Sequence, residues 1–187
     1  MFRRRNIIKN ERGATAIEFA MVAPLFLAFV LGIVDVGAYF FVAGQLQHGV
    51  VQAARQIRTG DIIGNNGASR DQFRAALCDN IKAALISDCT SNVRVNVESF
   101  ANYTSVTAPS IDDLDDDGNG TIEEGETKFD TGGASCPVVV RAYFNYSTIV
   151  PQLQKILAAA VPGTSYITAA TTFRNEPFTG GTTTACQ

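Results

Sequence analysis

An uncharged apolar run near the amino terminus constrains this chain more than any other feature. Residues 19–34 contain no charged side chain, and after Asp35 the sequence resumes as VGAYFFVAG. At about 1.5 Å per residue, a helix from Ala14 to Asp35 would be about 32 Å long, close to the thickness of a bilayer hydrocarbon core. The run therefore predicts a membrane-spanning helix, with Asp35 near the far interface.

The charge distribution predicts an orientation for that helix. Residues 1–13 carry five basic side chains against Glu11 alone, whereas the remaining residues carry 10 basic and 17 acidic side chains. A basic head before an apolar run follows the positive-inside rule, so we expect a single pass with a cytoplasmic amino terminus. Because no basic patch recurs after the head, we expect no nucleic-acid partner.

Two simpler interpretations of the run stay open. A secretory signal peptide also has a basic head and an apolar core, but this run is long and no small-residue cleavage site ends it cleanly. An uncleaved signal-anchor helix has the same composition.

A short motif at the start of the run points to one class of membrane protein. Gly13 follows the basic head and precedes ATAIEF, so a cut after Gly13 would make Ala14 the first residue and Glu18 the fifth. This pattern resembles the type IV prepilin class, in which a membrane peptidase removes a short basic leader that ends in glycine.

The spacing between Ala14 and Glu18 has a physical explanation. In a helix the new amine of Ala14 would lie one turn from Glu18, so the opposite charges compensate each other near the membrane interface. In a packed bundle Glu18 could instead pair with the amine of a neighbouring subunit and set the register. The plain alternatives are a solvated Glu18 and a Gly13 that is only a flexible residue before a helix.

Three stretches narrow the resemblance to the TadE-like minor pseudopilins of the Flp/Tad pilus system: NERGATAIEFAMVAPLFL, AARQIRTG and TTFRNEPF. The resemblance implies a bacterial inner-membrane protein with a periplasmic domain, which can also enter an extracellular pilus. It implies prepilin peptidase, other pilin-like subunits and the pilus assembly platform as partners. It leaves open the role of the segment Arg174–Phe178, and it does not extend to an acidic insert at residues 112–130.

Residue patterns predict an α+β fold in which a long amino-terminal helix packs on a small antiparallel sheet, as in pilins. We expect a leader at 1–13, a helix at 14–60 and a domain at 61–187. The helix would be transmembrane to about residue 44 and amphipathic beyond it, with one apolar face formed by Leu46, Val50, Ala53 and Ile57.

Within the domain the patterns predict two further helices and three strands. The first helix follows Ser69, its expected N-cap, and the second spans residues 151–161 with Pro151 in its first turn. The strands are expected within residues 92–100, 136–147 and 165–177, where β-branched and aromatic residues are frequent.

The acidic stretch DDDGNGTIEEGE, residues 115–126, matches a calcium loop. It follows the twelve-residue EF-hand pattern, with Gly120 at the sharp turn and Ile122 at the apolar position. Its oxygen ligands would be Asp115, Asp117, Asn119, Thr121 through its carbonyl, Glu123 and Glu126. A frame from Asp113 to Glu124 also fits the oxygen pattern, but it puts Gly120 at the apolar position.

The flanks of this loop do not predict the helix pair of an EF-hand. We therefore expect a lone structural calcium site with a dissociation constant on the order of 0.1–1 mM. A solvated acidic loop that binds no ion is the alternative.

Four cysteines on the oxidising side of the membrane predict two disulfides. Three pairings are possible, and we favour Cys78–Cys89 with Cys136–Cys186. A zinc site is disfavoured because the chain has no CxxC motif and a single histidine, His48, to which we assign no chemistry.

These observations favour a structural subunit of a Tad-type pilus machine. The second hypothesis is an uncleaved, membrane-anchored calcium-binding domain unconnected with pili. An enzyme is disfavoured because the sequence shows no phosphate-binding loop, no nucleophile elbow and no base placed beside a nucleophile.

Overall fold

A computed structural model describes residues 14–64, 67–81, 88–106, 111, 113–146, 166–178 and 186. Its elements are α1 (Ala14–Thr59), α2 (Gly67–Asn80), α3 (Cys89–Asn92), β1 (Val93–Ser99), β2 (Pro137–Asn145) and β3 (Tyr166–Arg174). The three strands form one antiparallel sheet in the order β1-β2-β3. The predicted α+β class, with a long amino-terminal helix and a small antiparallel sheet, is confirmed.

The second half of α1 packs on the sheet through the predicted face. Leu46, Val50, Ala53 and Ile57 are all fully buried. They share the main core with one face of the sheet, to which the strands contribute apolar residues at every second position: Val93, Val95, Val97, Val138, Val140, Ala142, Ile167 and Ala169. The face of α1 predicted from helical periodicity therefore meets a sheet face whose apolar residues follow the two-residue period of a strand.

Helix α2 packs across α1 and closes the main core. Phe73 and Leu77 are fully buried at this contact. Gly49 of α1 permits the close approach, because a Cβ atom there would lie 2.6 Å from Ile81 Cγ1 and 3.3 Å from the carbonyl oxygen of Leu77.

The expected start of α2 is wrong. The helix begins at Gly67, so Ser69 lies inside its first turn rather than at the N-cap. The Ser69 hydroxyl donates a 3.0 Å hydrogen bond to the carbonyl of Ile63, which ties the helix to the preceding loop. The helix expected at residues 151–161 lies outside the described residues.

The acidic insert covers the outer face of the sheet. Leu114 and Ile122 are buried against Tyr143 and Tyr166, which point away from α1. Residues 128–130 then run along β1, where Val97 donates to the carbonyl of Lys128 and accepts from the N–H of Asp130, each at 2.9 Å. The domain thus has three layers, and β2 is buried on both faces.

Candidate functional site

The first half of α1 is an apolar rod that leaves the domain. Its large apolar side chains from Ile17 to Phe41 are mostly exposed, for example Phe19 at 73%, Met21 at 77% and Ile33 at 72%. By length and composition this helix can cross a membrane, and none of its most apolar stretch is buried in the protein. A core helix of a soluble domain would be buried, so this rod has the properties of a single-pass anchor.

The predicted processing motif lies at the start of this rod. Gly13 and the leader are outside the described residues, whereas Ala14 is the first residue of α1. Glu18 is exposed one helical turn further on. Pro24 stands inside α1, which continues through it without a break.

Asp35 marks the point where the rod meets the domain. It is 2% exposed, and Tyr146 donates a 3.3 Å hydrogen bond to its Oδ1 atom. The ring of Tyr39 packs edge-on against Tyr146 with centroids 5.7 Å apart. Burial and the neighbouring Asp35 both raise the pKa of Tyr146, which keeps its hydroxyl protonated as the donor. The carboxylate is therefore covered by the domain, a contact that the sequence did not predict.

Helix α1 ends in a turn at Gly60, which the segment Arg174–Phe178 covers; the sequence left the role of that segment open. The N–H of Gly60 donates to the carbonyl of Ile57 at 3.0 Å and that of Asp61 to Gln56 at 2.8 Å, which is a Schellman motif. Gly60 has φ +83, the left-handed conformation that this motif requires.

Residues 174–178 then cover this helix end. The N–H of Glu176 donates to the carbonyl of Arg58 at 2.9 Å, and the two side chains form a 3.1 Å ion pair. A Cβ atom at Gly60 would lie 2.7 Å from the ring of Phe178, so the ring packs directly on the glycine. Two stretches that carried the family resemblance, AARQIRTG and TTFRNEPF, thus meet in space.

The acidic loop gathers three carboxylates. Single oxygen atoms of Asp115, Asp117 and Glu126 all lie within 4.8 Å of one another. These residues stand at positions 1, 3 and 12 of the predicted calcium loop. Glu123 is not in this group of carboxylates. Glu123, Asn119 and Thr121 are all exposed.

Hydrogen bonds within the loop hold these carboxylates in place. Asp115 accepts the N–H of Asn119 at 3.0 Å and that of Gly120 at 2.7 Å. Glu126 accepts the N–H of Asp116 at 3.1 Å and that of Glu123 at 2.6 Å. Since each carboxylate has about four lone-pair sites, oxygen lone pairs remain for a cation, and this donor set fits calcium.

The apolar position of the loop is anchored to the sheet. Ile122 is 2% exposed, and its N–H donates to the hydroxyl of Tyr166 at 2.8 Å. Its carbonyl accepts from Arg94 Nε at 3.2 Å. A tyrosine and an arginine of the sheet therefore hold the middle of the loop, and no α-helix flanks it among the described residues.

The exit of the loop is anchored to α2 through Glu124. Arg74 forms a 2.7 Å ion pair with the Glu124 carboxylate, and Arg70 donates to the carbonyls of Glu124 and Thr127, each at 2.8 Å. The hydrogen bond from Arg74 and the charges of nearby arginines hold the pKa of Glu124 below its ordinary value, although burial opposes them. Because the folded-state pKa is lowered, this pair stabilises the fold at neutral pH and the contribution is lost as the pH falls through that pKa.

Both favoured disulfides are present. Cys78 and Cys89 join the end of α2 to the start of α3, with Cα atoms 5.8 Å apart. Cys136 and Cys186 join the residue before β2 to the carboxy-terminal tail, with Cα atoms 5.5 Å apart. His48 is exposed on α1.

Comparison with known proteins finds a family similar to the helix that forms the rod. Residues 13–55 match the family model of the TadE-like proteins. No curated protein and no solved structure matches the chain. The matched range begins at Gly13, the glycine of the predicted processing motif, and covers the apolar rod and most of the half of α1 that packs on the sheet. The resemblance predicted from the sequence is therefore confirmed over residues 13–55, where the chain is similar to the TadE-like proteins.

Proposed function

We propose that the chain is a minor pilin-like subunit of a Tad-type pilus assembly or secretion machine. The observation that carries the proposal is the match of residues 13–55 to the TadE-like family, on a helix that is exposed and apolar in its first half and buried in the domain in its second. A helix of this kind leaves a membrane and enters a bundle of similar helices without unfolding the domain that it carries.

In this proposal prepilin peptidase removes residues 1–13 at the cytoplasmic face of the inner membrane, and the domain lies in the periplasm or in the pilus. Glu18, one turn from the new amine of Ala14, then pairs with that amine or with the amine of a neighbouring subunit. An unpaired carboxylate inside a helix bundle is costly, so the pairing selects one register between subunits.

The first test is the amino terminus of the membrane form, expressed with and without a prepilin peptidase. We expect sequencing to find Ala14 as the first residue only when the peptidase is present. A chain that keeps its basic head in the presence of the peptidase contradicts the proposal and favours an uncleaved anchor.

The second prediction concerns Glu18 itself. We expect the Glu18→Ala variant to be inserted and cleaved normally. The amount of this variant recovered in assembled pili should be at least about tenfold lower, because an amine left unpaired inside a helix bundle costs more than about 1.4 kcal/mol. The matched control is Glu11→Ala, which removes a carboxylate from the leader and should not affect assembly. Normal assembly of Glu18→Ala would contradict the register role.

We further propose that the acidic loop binds one calcium ion as a structural element. Asp115, Asp117 and Glu126 supply carboxylates, with Asn119, the Thr121 carbonyl and Glu123 as further oxygen donors. The frame that ends at Glu126 is supported by the contacts of Glu124, because its carboxylate is directed to Arg70 and Arg74. The ion would stiffen the layer that covers the outer face of the sheet.

Calcium at 10 mM should raise the melting temperature of the full chain in detergent by about 5–10 °C, given a dissociation constant of about 0.1–1 mM. The double variant Asp115→Ala, Glu126→Ala should lose this shift. Asp116→Ala is the matched control, because Asp116 is exposed at a position that supplies no ligand. Identical melting of the wild type with calcium and with chelator would contradict the site, and would leave the pilin proposal intact.

A further inference from the structure

The outer edge of β3 is open in the part of the chain that the structure describes. β3 pairs with β2 on one side and is the last strand of the sheet. On its other side, Ala170 turns its N–H and C=O toward Gln47 of α1. The Gln47 amide donates to that carbonyl at 3.1 Å and accepts from that N–H at 3.3 Å.

Gln47 shows which backbone groups this edge presents. Its side-chain amide takes the place of one residue of a neighbouring strand. Because backbone groups alternate along an antiparallel strand, Thr172 turns its N–H and C=O to the same side as Ala170. Among the described residues, nothing pairs with the backbone of Thr172 on this side. An edge strand with such groups is a template for an added strand.

A groove of about 380 Å³ runs beside Thr172, between β3 and α1. Its apolar lining comes from Val51, Ala54 and Phe173, and its polar lining includes Arg55 and Arg58. A cleft of this size is large enough to take side chains of an incoming segment. The groove lies at the end of α1 away from the apolar rod.

The positive charge of the groove favours an acidic segment as the added strand. Arg58 is already neutralised by Glu176 at 3.1 Å, whereas the exposed Arg55 has no acidic partner within 4 Å among the described residues. Among the described residues that line the groove, Arg55 is therefore the cation without an acidic partner. Pairing with the same edge of a second copy would bring two Arg55 side chains to one interface, which like-charge repulsion disfavours.

We propose that the β3 edge binds an extended, acidic segment of another protein by strand addition. Thr172 pairs with the incoming backbone, Arg55 pairs with a carboxylate of the segment, and the groove takes an apolar side chain. This inference uses the domain alone, so it does not depend on cleavage after Gly13 or on the role of Glu18.

The test uses the full chain in detergent micelles and two synthetic peptides, acetyl-TVEVEVT-amide and acetyl-TVKVKVT-amide. At low salt the glutamate peptide should bind about threefold to tenfold more tightly than the lysine peptide. This ratio is expected because the glutamate peptide gains one exposed ion pair with Arg55, whereas the lysine peptide is repelled by it. It should also slow hydrogen exchange of the Thr172 amide, measured by NMR.

Two variants make the test specific. Arg55→Glu should reverse the preference between the peptides, whereas Lys128→Glu, an equal charge change beside β1, should leave it unchanged. Thr172→Pro should abolish binding of the glutamate peptide, since proline removes the edge donor and is tolerated on edge strands.

Three results would overturn the proposal. The first is no binding of the glutamate peptide, or equal binding of both peptides. The second is an unchanged preference in Arg55→Glu. The third is protection of the Thr172 amide that rises with protein concentration without peptide, because it would identify a second copy as the occupant.

Discussion

Removing the Cys136–Cys186 disulfide, with Cys136→Ser and Cys186→Ser together, is expected to lower the free energy of unfolding by about 4 kcal/mol. The two cysteines are 50 residues apart in sequence. The cross-link therefore closes a long loop and removes many conformations from the unfolded chain. Such a loss is a large part of the 5–15 kcal/mol that stabilises a typical domain. Denaturation of the full chain in detergent, followed by far-UV circular dichroism, measures the change.

The second disulfide is the matched control for this prediction. Cys78 and Cys89 are only 11 residues apart, so the same chain-entropy argument gives about 3 kcal/mol for Cys78→Ser with Cys89→Ser. The longer loop should therefore cost about 1 kcal/mol more. An equal or reversed order would show that local contacts, rather than loop closure, determine the effect of each bond.

Phe73→Ala is expected to destabilise the domain by about 3–5 kcal/mol, because it removes a fully buried aromatic side chain and leaves a cavity. Phe73 belongs to the main core between α2 and the sheet. Its ring also packs against Phe129, with centroids 6.1 Å apart, and Arg70 lies 6.0 Å over the Phe129 ring. The substitution thus loosens α2 and the end of the acidic insert at once.

Gln72→Ala is the control for Phe73→Ala. Gln72 is exposed on the same helix, and alanine is a better helix former, so the change in stability should stay within about 0.5 kcal/mol. The midpoint of urea denaturation measures both variants. A loss below about 1 kcal/mol for Phe73→Ala would show that the core closes around the missing ring.

The parts of the fold that follow from local periodicity could be predicted from the sequence. The face of α1 formed by Leu46, Val50, Ala53 and Ile57 repeats at helical spacing, and all four residues are buried. Along β1, Val93, Val95 and Val97 stand at every second position of the sequence, and all three are buried on the inner face. These patterns are readable because each element has one buried face and its period is fixed by backbone geometry.

The outer layer of the domain could not be predicted in the same way. The acidic insert was interpreted as a loop with a calcium pattern, and the structure adds that Leu114 and Ile122 bury Tyr143 and Tyr166. A pair of apolar residues in an acidic segment has no period, so nothing local shows that it covers a sheet. The burial of Asp35 beneath Tyr146 is non-local for the same reason, since 111 residues separate the two.

The calcium pattern and the helix end differ in what their sequences reveal. The ligand pattern is contiguous, so its spacing can be read directly, and the structure brings Asp115, Asp117 and Glu126 together. The contacts of Glu176 and Phe178 with Arg58 and Gly60 join segments more than 100 residues apart. Of these residues, only Gly60 is a signal in the sequence itself, because glycine often ends a helix in the left-handed conformation.

The line of contacts along α1 has a mechanical consequence. The helix is bonded to the domain at Asp35 by Tyr146, at Gln47 by Ala170 and at Arg58 by Glu176, over about 35 Å of its axis. Strand β3 follows the helix in the same direction between the last two contacts. A force that pulls the helix along its axis therefore loads these contacts in shear, all together, instead of unzipping them one by one. If the chain assembles as proposed, the domain would travel with its rod as one rigid body when the rod leaves the membrane.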